Sequence, residues 1–188
     1  IAGLDSIAEM TEALATYFRY TISQVNNLVT LEEELANVEN YYYIQQFRFG
    51  SKLDLRIRYD CEDEEEALMC QLPKLTLQPI VENAIYHGLD RMVDEGRILI
   101  RIYSEGEDVV FRVEDNGVGM SEEQCRSILH KEPGDNSGIG IKNVNDRIKI
   151  YFGKEYGLSI ESELDEGTTV IIRMPKVEEN AAAGWEKV

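Results

Sequence analysis

The sequence predicts an α+β protein, a two-layer sandwich in which a mixed, largely antiparallel sheet carries helices on one face, preceded by one or two N-terminal helices. Two observations predict this class. Polar and apolar residues alternate over residues 53–59 and 97–103, as they do in half-buried strands, and a turn at 104–107 joins the second run to a third strand. The predicted elements then follow the order strand, helix, hairpin, loop, helix, hairpin, so that helices cover a sheet built largely from hairpins.

Two helices are predicted before the first strand. Residues 4–28 are apolar at helical spacing, close to a heptad. Such a stripe needs a partner helix, in the same chain or in a second copy, although a single amphipathic surface helix explains it equally well. Thr30 and Glu33 form a capping box, which predicts a second helix that ends at Gly50.

The middle of the chain is expected to contain an acidic loop and a helix. Residues 60–66 are acidic and predict a solvated loop. Pro73 suits the first turn of a helix and Gly88 suits its exit. Four polar or aromatic residues interrupt the broad apolar face between them: Glu82, Asn83, Tyr86 and His87.

The last third of the chain completes the predicted sheet. A second capping box, over residues 121–124, starts a short helix, and the polar residues 130–138 predict a mobile loop. Another helix opens at Gly138. Strands over residues 158–160 and 169–174 form the final hairpin.

Composition excludes several classes of function. The 188 residues carry 19 Lys+Arg against 36 Asp+Glu, a formal net charge of −17, which argues against general nucleic-acid binding and against docking on anionic lipid. The three cysteines lack metal-ligand spacing and fit a reducing cytosol. No run of the sequence predicts a membrane span or a signal peptide. Because the chain does not begin with Met, we expect it to be part of a longer protein.

The most informative stretch follows the strand that ends at Asp115, where residues 116–119 read Asn-Gly-Val-Gly. Side chains alternate across a strand, so Asp115 lies on the same apolar face as Val109, Phe111 and Val113. A carboxylate in such surroundings needs hydrogen-bond donors, and the exocyclic amino group of a purine is one. The glycines let the backbone turn sharply and approach a ligand. An ordinary Asp-Asn-Gly turn is the alternative.

Four motifs occur along the chain in this order: Glu82-Asn83 with His87, residues 115–119, residues 138–143 and Gly167-Thr168-Thr169. Their combined order and spacing are a more specific signal than a single Gly-x-Gly. With them, residues 53–175 resemble the ATP-binding domain shared by histidine kinases, gyrase, Hsp90 and MutL. More closely, the chain resembles sensor histidine kinases of the LytS and YesM type. The phrases that carry this resemblance are residues 18–20, 31–35, 43–45, 48–49, 77–84, 87–88 and 138–141, with Asn143 and Arg147.

The resemblance implies a Bergerat-type ATP-binding fold over residues 51–176. Residues 1–50 would be the remnant of a dimerisation and phosphoacceptor helical region plus a linker helix. Residues 177–188 would form a flexible tail.

The resemblance also implies ATP and Mg²⁺ as ligands. Asn83 would help to hold Mg²⁺, which binds oxygen ligands and bridges phosphates, and Glu82 beside it would orient metal or water. These two are the expected catalytic residues. Asp115 would accept a hydrogen bond from the adenine amino group, assisted by Thr168. Gly117, Gly119, Gly138 and Gly140 would hinge a lid over the nucleotide, and the N–H groups of the helix that follows Gly140 would meet phosphate. Lys142, Asn143 and His87 are the other expected nucleotide-binding residues.

Two positions depart from the patterns of related families. Gyrase-like ATPases place a water-activating Glu four residues before the helix Asn, where this chain has Pro79, which cannot act as a base. Many histidine kinases place a phosphate-directed Lys three residues after that Asn, where this chain has Tyr86. The candidates to replace that Lys are Lys142, Arg147, Lys131 and His87.

The resemblance further implies phosphoryl transfer to a His and then to an Asp of a cognate response regulator. His87 belongs to the nucleotide-binding helix and His130 to a solvated loop, so we expect no phosphoacceptor in this chain. The family's acceptor motif precedes the helix over residues 4–28, which would make that helix the second of a dimerising hairpin. We therefore expect a homodimer in the full-length protein. We also expect this chain to be the cytoplasmic portion of a bacterial protein anchored in the inner or plasma membrane by upstream segments.

Three alternatives stay open. A gyrase/Hsp90/MutL-like ATPase is disfavoured by Pro79, and a serine kinase of the anti-sigma type by residues 18–20 and 48–49. A non-catalytic nucleotide-binding or dimerisation module stays possible because of Tyr86 and the missing acceptor.

Overall fold

The structure, a computed structural model, describes residues 2–23, 27–61, 63–89, 95–130 and 139–177. Its α-helices are α1 (Ala2–Ile22), α2 (Leu31–Phe49), α3 (Glu64–Met69), α4 (Gln78–Asn83), α5 (Glu122–His130) and α6 (Ile139–Phe152). Its strands are β1 (Leu28–Thr30), β2 (Leu53–Tyr59), β3 (Gln71–Pro73), β4 (Gly96–Glu105), β5 (Asp108–Asp115), β6 (Gly157–Glu163) and β7 (Gly167–Pro175). A 3₁₀ turn (Gly50–Lys52) follows α2, and a π-helical segment (Ala84–Leu89) continues α4.

Five strands form the main sheet in the order β2-β4-β5-β7-β6. Strand β2 pairs with β4 in parallel, and every other pair in this sheet is antiparallel. The predicted mixed, largely antiparallel sheet is therefore confirmed. The predicted hairpin over residues 97–115 is the β4–β5 pair, whose register places Ile100 opposite Val113.

The helices cover one face of this sheet, as predicted. Alternation and strand register bring buried residues of β4, β5 and β7 onto that face, where they form one core with buried residues of α2, α4 and α6. Ion pairs such as Arg112–Glu114 and Arg173–Asp108 occupy the opposite face. The core members from the three strands are Ile98, Ile100, Ile102, Val109, Phe111, Val113, Val170, Ile172 and Met174.

The capping box at the start of α2 is confirmed. The Thr30 Oγ1 accepts from the Glu33 N–H at 3.2 Å, and Glu33 Oε2 accepts from the Thr30 N–H at 3.0 Å. The first helix is shorter than predicted, because α1 ends at Ile22 and Leu28 already belongs to β1. Strand β1 pairs with β3, so its backbone groups bond a neighbouring strand instead of continuing a helix.

Two predictions for residues 60–88 were wrong. The acidic stretch is not all loop, since Asp63 accepts from the Glu66 N–H at 3.0 Å and caps α3. Pro73 does not begin a helix but ends β3, and α4 starts only at Gln78. The left-handed backbone of Leu75, with φ of 59°, separates strand from helix. The helical segment after α4 also runs one residue past Gly88.

The second capping box is confirmed as well. The Gln124 N–H donates to Ser121 Oγ at 3.3 Å, and the Ser121 N–H donates to Gln124 Oε1 at 2.9 Å. Residues 131–138 of the predicted loop and residues 178–188 of the predicted tail lie outside the described residues. Val177 is buried, and its carbonyl accepts from the Gln71 N–H at 2.7 Å. None of the described helices combines the length and hydropathy that a membrane span requires.

Candidate functional site

The candidate site is built around the end of β5, where Asp115 lies opposite Thr168 of β7. One carboxylate oxygen, Asp115 Oδ1, accepts from the Gly117 N–H at 2.8 Å. Burial raises the pKa of the Asp115 carboxyl to about 6, although the backbone N–H groups of Gly117 and Thr168 act in the opposite direction. The expected pair, Asp115 and Thr168, is thus brought together by strand register.

Two glycines let neighbouring backbone segments pass each other closely near the end of β5. A Cβ at Gly167, where φ is 111°, would clash with the carbonyl oxygen of Asp115. A Cβ at Gly119, where φ is 63°, would clash with the carbonyl oxygen of Glu163. Both positions therefore require glycine for two reasons, the left-handed backbone and the lack of space.

Sequence reasoning missed Ser162, which ties this backbone together. Its hydroxyl donates to the Gly167 carbonyl at 2.7 Å and accepts from the Met120 N–H at 2.9 Å. It also lies 2.9 Å from Thr168 Oγ1. A single Ser in an alternating strand gives no sequence signal, because the register with β7 is what gives it a role.

The second part of the site is α4 with its π-helical continuation. Buried apolar residues of this segment join the core, and the continuation packs against β4, β5 and β7. Asn83 is half-buried, and its side chain makes no hydrogen bond to another residue within the described ranges. Glu82, by contrast, is engaged: its Oε1 accepts from Tyr17 Oη at 2.7 Å and from Gln78 Nε2 at 2.9 Å. The side chain of His87 lies outside what the structure describes.

The start of α6 lies beside the start of α4, since a Cβ at Gly140 would come within 3.3 Å of Pro79 Cβ. Gly138 and Lys131 fall outside the described residues. Asn143 is exposed, and Lys142 pairs with Asp146 at 2.6 Å along the same helix. Of the expected residues on α6, Gly140, Lys142 and Asn143 therefore share its first two turns.

The side chain of Arg147 binds the loop before α4. Its Nη2 donates to the Leu75 carbonyl at 2.7 Å, and burial lowers the pKa of its guanidinium. It holds the loop before α4 and is a poor candidate to replace the phosphate-directed Lys.

A buried acid that sequence reasoning missed holds the same loop. Glu34 of α2 is fully buried and accepts from Tyr20 Oη at 2.6 Å. It also accepts from the N–H groups of Leu75, Thr76 and Leu77 at 2.5, 2.9 and 3.0 Å. Burial raises the pKa of its carboxyl, while all four hydrogen bonds favour the ionised form.

A cavity of about 880 Å³ lies at the other end of the sheet, lined by residues that include Asp60, Glu66 and Lys176. Strand register puts Tyr59 opposite Ile102 but Asp115 opposite Ile98, which separates this cavity from the Asp115 group. The two sites therefore share no residue.

Comparison with known proteins identifies the family of the chain. Residues 72–178 match the family model of histidine kinase-, DNA gyrase B- and HSP90-like ATPases, and residues 2–53 match the histidine kinase model. The sensor histidine kinase YesM of Bacillus subtilis is 37% identical over 169 residues, and BtsS of Escherichia coli is 33% identical over 171 residues. These matches cover 90% and 91% of this chain but only 28% of each relative.

Two solved structures show the same fold. The histidine kinase domain of a blue-light activated kinase from Erythrobacter litoralis aligns with a TM-score of 0.57 at 17% identity, covering 98% of this chain and 83% of that one. The catalytic domain of the histidine kinase ThkA aligns with a TM-score of 0.57 at 17% identity, covering 81% of this chain and 98% of that one. The chain therefore belongs to the family of histidine kinase-, DNA gyrase B- and HSP90-like ATPases, and within it is similar to sensor histidine kinases such as YesM, BtsS and LytS.

Proposed function

We propose that this chain is the ATP-binding catalytic part of a sensor histidine kinase, which presents Mg-ATP to a phosphoacceptor His outside the chain. The observation that carries the proposal is the half-buried Asp115 carboxylate facing Thr168 at the end of two paired strands. A carboxylate that is partly desolvated gains most from a donor supplied by a ligand, and the adenine amino group is such a donor. Thr168, at 7% exposure, adds a hydroxyl beside it.

The residues present fit a nucleotide. Gly167 lets the backbone pass the Asp115 carbonyl, and Gly119 lets it pass the Glu163 carbonyl, at points where any other side chain would clash. The π-helical segment after Asn83 packs against β5 and β7, whose register pairs Asp115 with Thr168, so helix and strand ends belong to one unit. The Gly117 N–H already donates to the Asp115 carboxylate and so orients it.

The phosphate end of the nucleotide is assigned to α4 and α6. Asn83 offers an amide oxygen for Mg²⁺, with Glu82 next to it. Helix α6 has 14 residues, and we expect its first N–H groups, near Gly140, to meet phosphate oxygens. Lys142, Asn143 and His87 complete the expected contacts. When bound, Mg²⁺ would neutralise phosphate charge.

A metal bound only by protein side chains does not fit this site. Within the described residues there is no cluster of three or more His, Cys, Asp or Glu side chains suited to a metal ion. Mg²⁺ would therefore depend on Asn83 together with the nucleotide phosphates, as is usual where this ion keeps few protein ligands.

Phosphoryl transfer is favoured over hydrolysis by Pro79. This residue stands at the start of α4 and carries no group that could accept a proton from water. A gyrase-like hydrolase would need a base there, so transfer to a His of the same protein is the better proposal. A response-regulator Asp would then receive the phosphoryl group.

Self-association of the whole protein is supported by α1. Among the side chains of this helix that the structure describes, four large apolar ones remain exposed, although the other side of the helix packs on α2. Such a stripe suits a second helix, and we assign it to the dimerising bundle of a homodimer. Its members are Ile7, Leu14, Phe18 and Ile22. We further propose that this bundle lies on the cytoplasmic side of a membrane anchor elsewhere in the protein.

The proposal is tested with ATP labelled in its γ-phosphate, given to this 188-residue chain and to the full-length protein. We expect acid-labile, base-stable phosphate on the full-length protein, none on this chain, and much less on the full-length Asp115→Asn variant when ATP is below saturation. Asp54→Asn, which removes a carboxylate paired with the exposed Arg56 at 2.8 Å, is the matched control and should label normally. Rapid release of free phosphate without labelled protein would instead support the gyrase-like alternative.

A further inference from the structure

Helix α1 reaches the nucleotide-binding helix through two tyrosines that lie one turn apart. Tyr17 and Tyr20 occupy positions i and i+3, so both hydroxyls leave the same side of the helix. Each donates to a carboxylate, Tyr17 to Glu82 at 2.7 Å and Tyr20 to Glu34 at 2.6 Å. One of these acids belongs to α4 and the other holds the loop that begins α4.

The Tyr17 contact is part of a chain of side-chain hydrogen bonds. Glu82 Oε1 also accepts from Gln78 Nε2 at 2.9 Å, and Gln78 Oε1 accepts from Asn37 Nδ2 at 3.1 Å. Asn37 and Gln78 are buried, and the Tyr17 ring lies 5.6 Å from the ring of Tyr41. Three helices, α1, α2 and α4, are therefore joined around one carboxylate.

The Tyr20 contact fixes the other end of α4. Glu34 accepts from Tyr20 and from three successive backbone N–H groups, the last of them at Leu77. Lys74 in the same loop lies over the Tyr20 ring, 4.3 Å from its centroid, and donates to the hydroxyl of Ser23. The end of α1 and the start of α4 are thus held as one unit.

We infer that Tyr17 is a positioning residue for the nucleotide site: by holding Glu82, it links the seating of α1 to the position of the neighbouring Asn83. This inference rests on the proposed function, because it assigns Asn83 to Mg-ATP. If α1 moves away, the partly buried Glu82 carboxylate loses the Tyr17 hydroxyl, one of its two hydrogen-bond donors. The free-energy cost of that loss is the physical basis of the inference. Any ligand that favours one position of α4 must then favour the matching position of α1, by reciprocity.

The test is hydrogen exchange of this chain with and without a non-hydrolysable ATP analogue and Mg²⁺, read on peptides from residues 7–23. In the wild-type chain we expect nucleotide to slow exchange in α1 by about fivefold or more, the lower range of measured site-to-site couplings. Tyr17→Phe keeps the ring against Tyr41 and removes only the hydroxyl, so it should fold, bind nucleotide more weakly, and lose most of this slowing. The factor by which this slowing falls in Tyr17→Phe should equal the factor by which its affinity for nucleotide falls.

Tyr43→Phe is the matched control, because Tyr43 of α2 donates to exposed Glu9 of α1 at 2.9 Å, and neither side chain hydrogen-bonds α4 within the described ranges. It should keep the wild-type response. Nucleotide binding with no change in α1 exchange, or an unchanged response in Tyr17→Phe, would overturn the inference alone. Absence of nucleotide binding by the wild-type chain would overturn the proposed function and the inference with it.

Discussion

Glu34 of α2 accepts a hydrogen bond of 3.0 Å from the N–H of Leu77, the residue that caps α4. Leu77 has no side chain able to cap a helix, and no side chain of α4 itself does so. A carboxylate from another helix therefore satisfies backbone donors that would otherwise be buried without a partner. The position of Asn83, five residues after Gln78, depends on this distant acid.

Glu34→Gln should destabilise the chain by about 2 kcal/mol or more, because an amide cannot accept from four donors and turns its own NH₂ toward some of them. Chemical denaturation measures this as a fall in the free energy of unfolding. Glu32→Gln, on the exposed side of the same helix, should change it by no more than about 0.5 kcal/mol. Equal effects of the two substitutions would show that Glu34 does not support the loop.

Gly167→Ala should abolish or strongly weaken nucleotide binding, because its Cβ would clash with the Asp115 carbonyl oxygen. Gly106 offers a comparison, since its φ is also positive, at 63° against 111° for Gly167, but nothing lies within 4 Å of an added Cβ. Gly106→Ala should therefore cost only about 1 kcal/mol of stability, the usual left-handed penalty, and leave affinity unchanged. Calorimetric titration and thermal unfolding separate the two effects.

The pH dependence of binding should report Asp115. Burial raises the pKa of this carboxyl from 3.8 to about 6, so its contribution to stability is fully present below pH 3.8 and is lost as the pH rises through about 6. Nucleotide affinity should run the other way, because the ionised carboxylate is the better acceptor. If only the ionised form binds, affinity at pH 5 should be about tenfold weaker than at pH 7.

Asp115→Asn supplies the control for this pH series. The phosphates of the nucleotide titrate identically for both proteins, so only the difference between them reports the carboxyl. A pH dependence that is the same in wild type and variant would assign it to another group.

Asn83→Ala should reduce the affinity for nucleotide about tenfold when Mg²⁺ is present, the scale of one lost polar contact to a charged group. Without Mg²⁺ the affinity should match that of the wild-type chain. Stability should change little, because Asn83 is half-buried and its side chain bonds no other residue of the described ranges. Asn40→Ala, at a partly exposed position on α2, controls for the loss of an amide.

Local patterns predicted the fold well and long-range contacts poorly. Alternation in the strands and both capping boxes were recognised correctly because each signal is contained within a few residues. The helix start predicted at Pro73 was wrong because proline suits both a first helical turn and a strand end. Only the pairing of β3 with β1 decides between the two. Val25 and Leu28 extended the apolar pattern of α1 even though the chain turns into a strand.

The candidate site was predicted only in part, because the sequence reveals local motifs but not long-range contacts. Asp115 and Thr168 were recognisable from motifs, whereas Ser162 gains its role only through register with β7. Glu34 could have been recognised from the sequence. It lies three residues after Leu31, on the helix face that also carries Leu35 and Val38, and a carboxylate is unexpected on such a buried face. Three of its four donors, however, are backbone N–H groups 41 to 43 residues away, which no local pattern reveals.

The most direct measurement is calorimetric titration of this chain with a non-hydrolysable ATP analogue, with and without Mg²⁺, beside Asp115→Asn and the control Asp54→Asn. We expect Mg²⁺-dependent binding in the wild-type chain and in the control. In Asp115→Asn we expect it to be weaker by about 1–3 kcal/mol, the scale of a buried hydrogen bond to a charged group that is lost or mispaired. Equal affinities in all three proteins would contradict the assignment of Asp115 to adenine, and absence of binding in all three would contradict the nucleotide site itself.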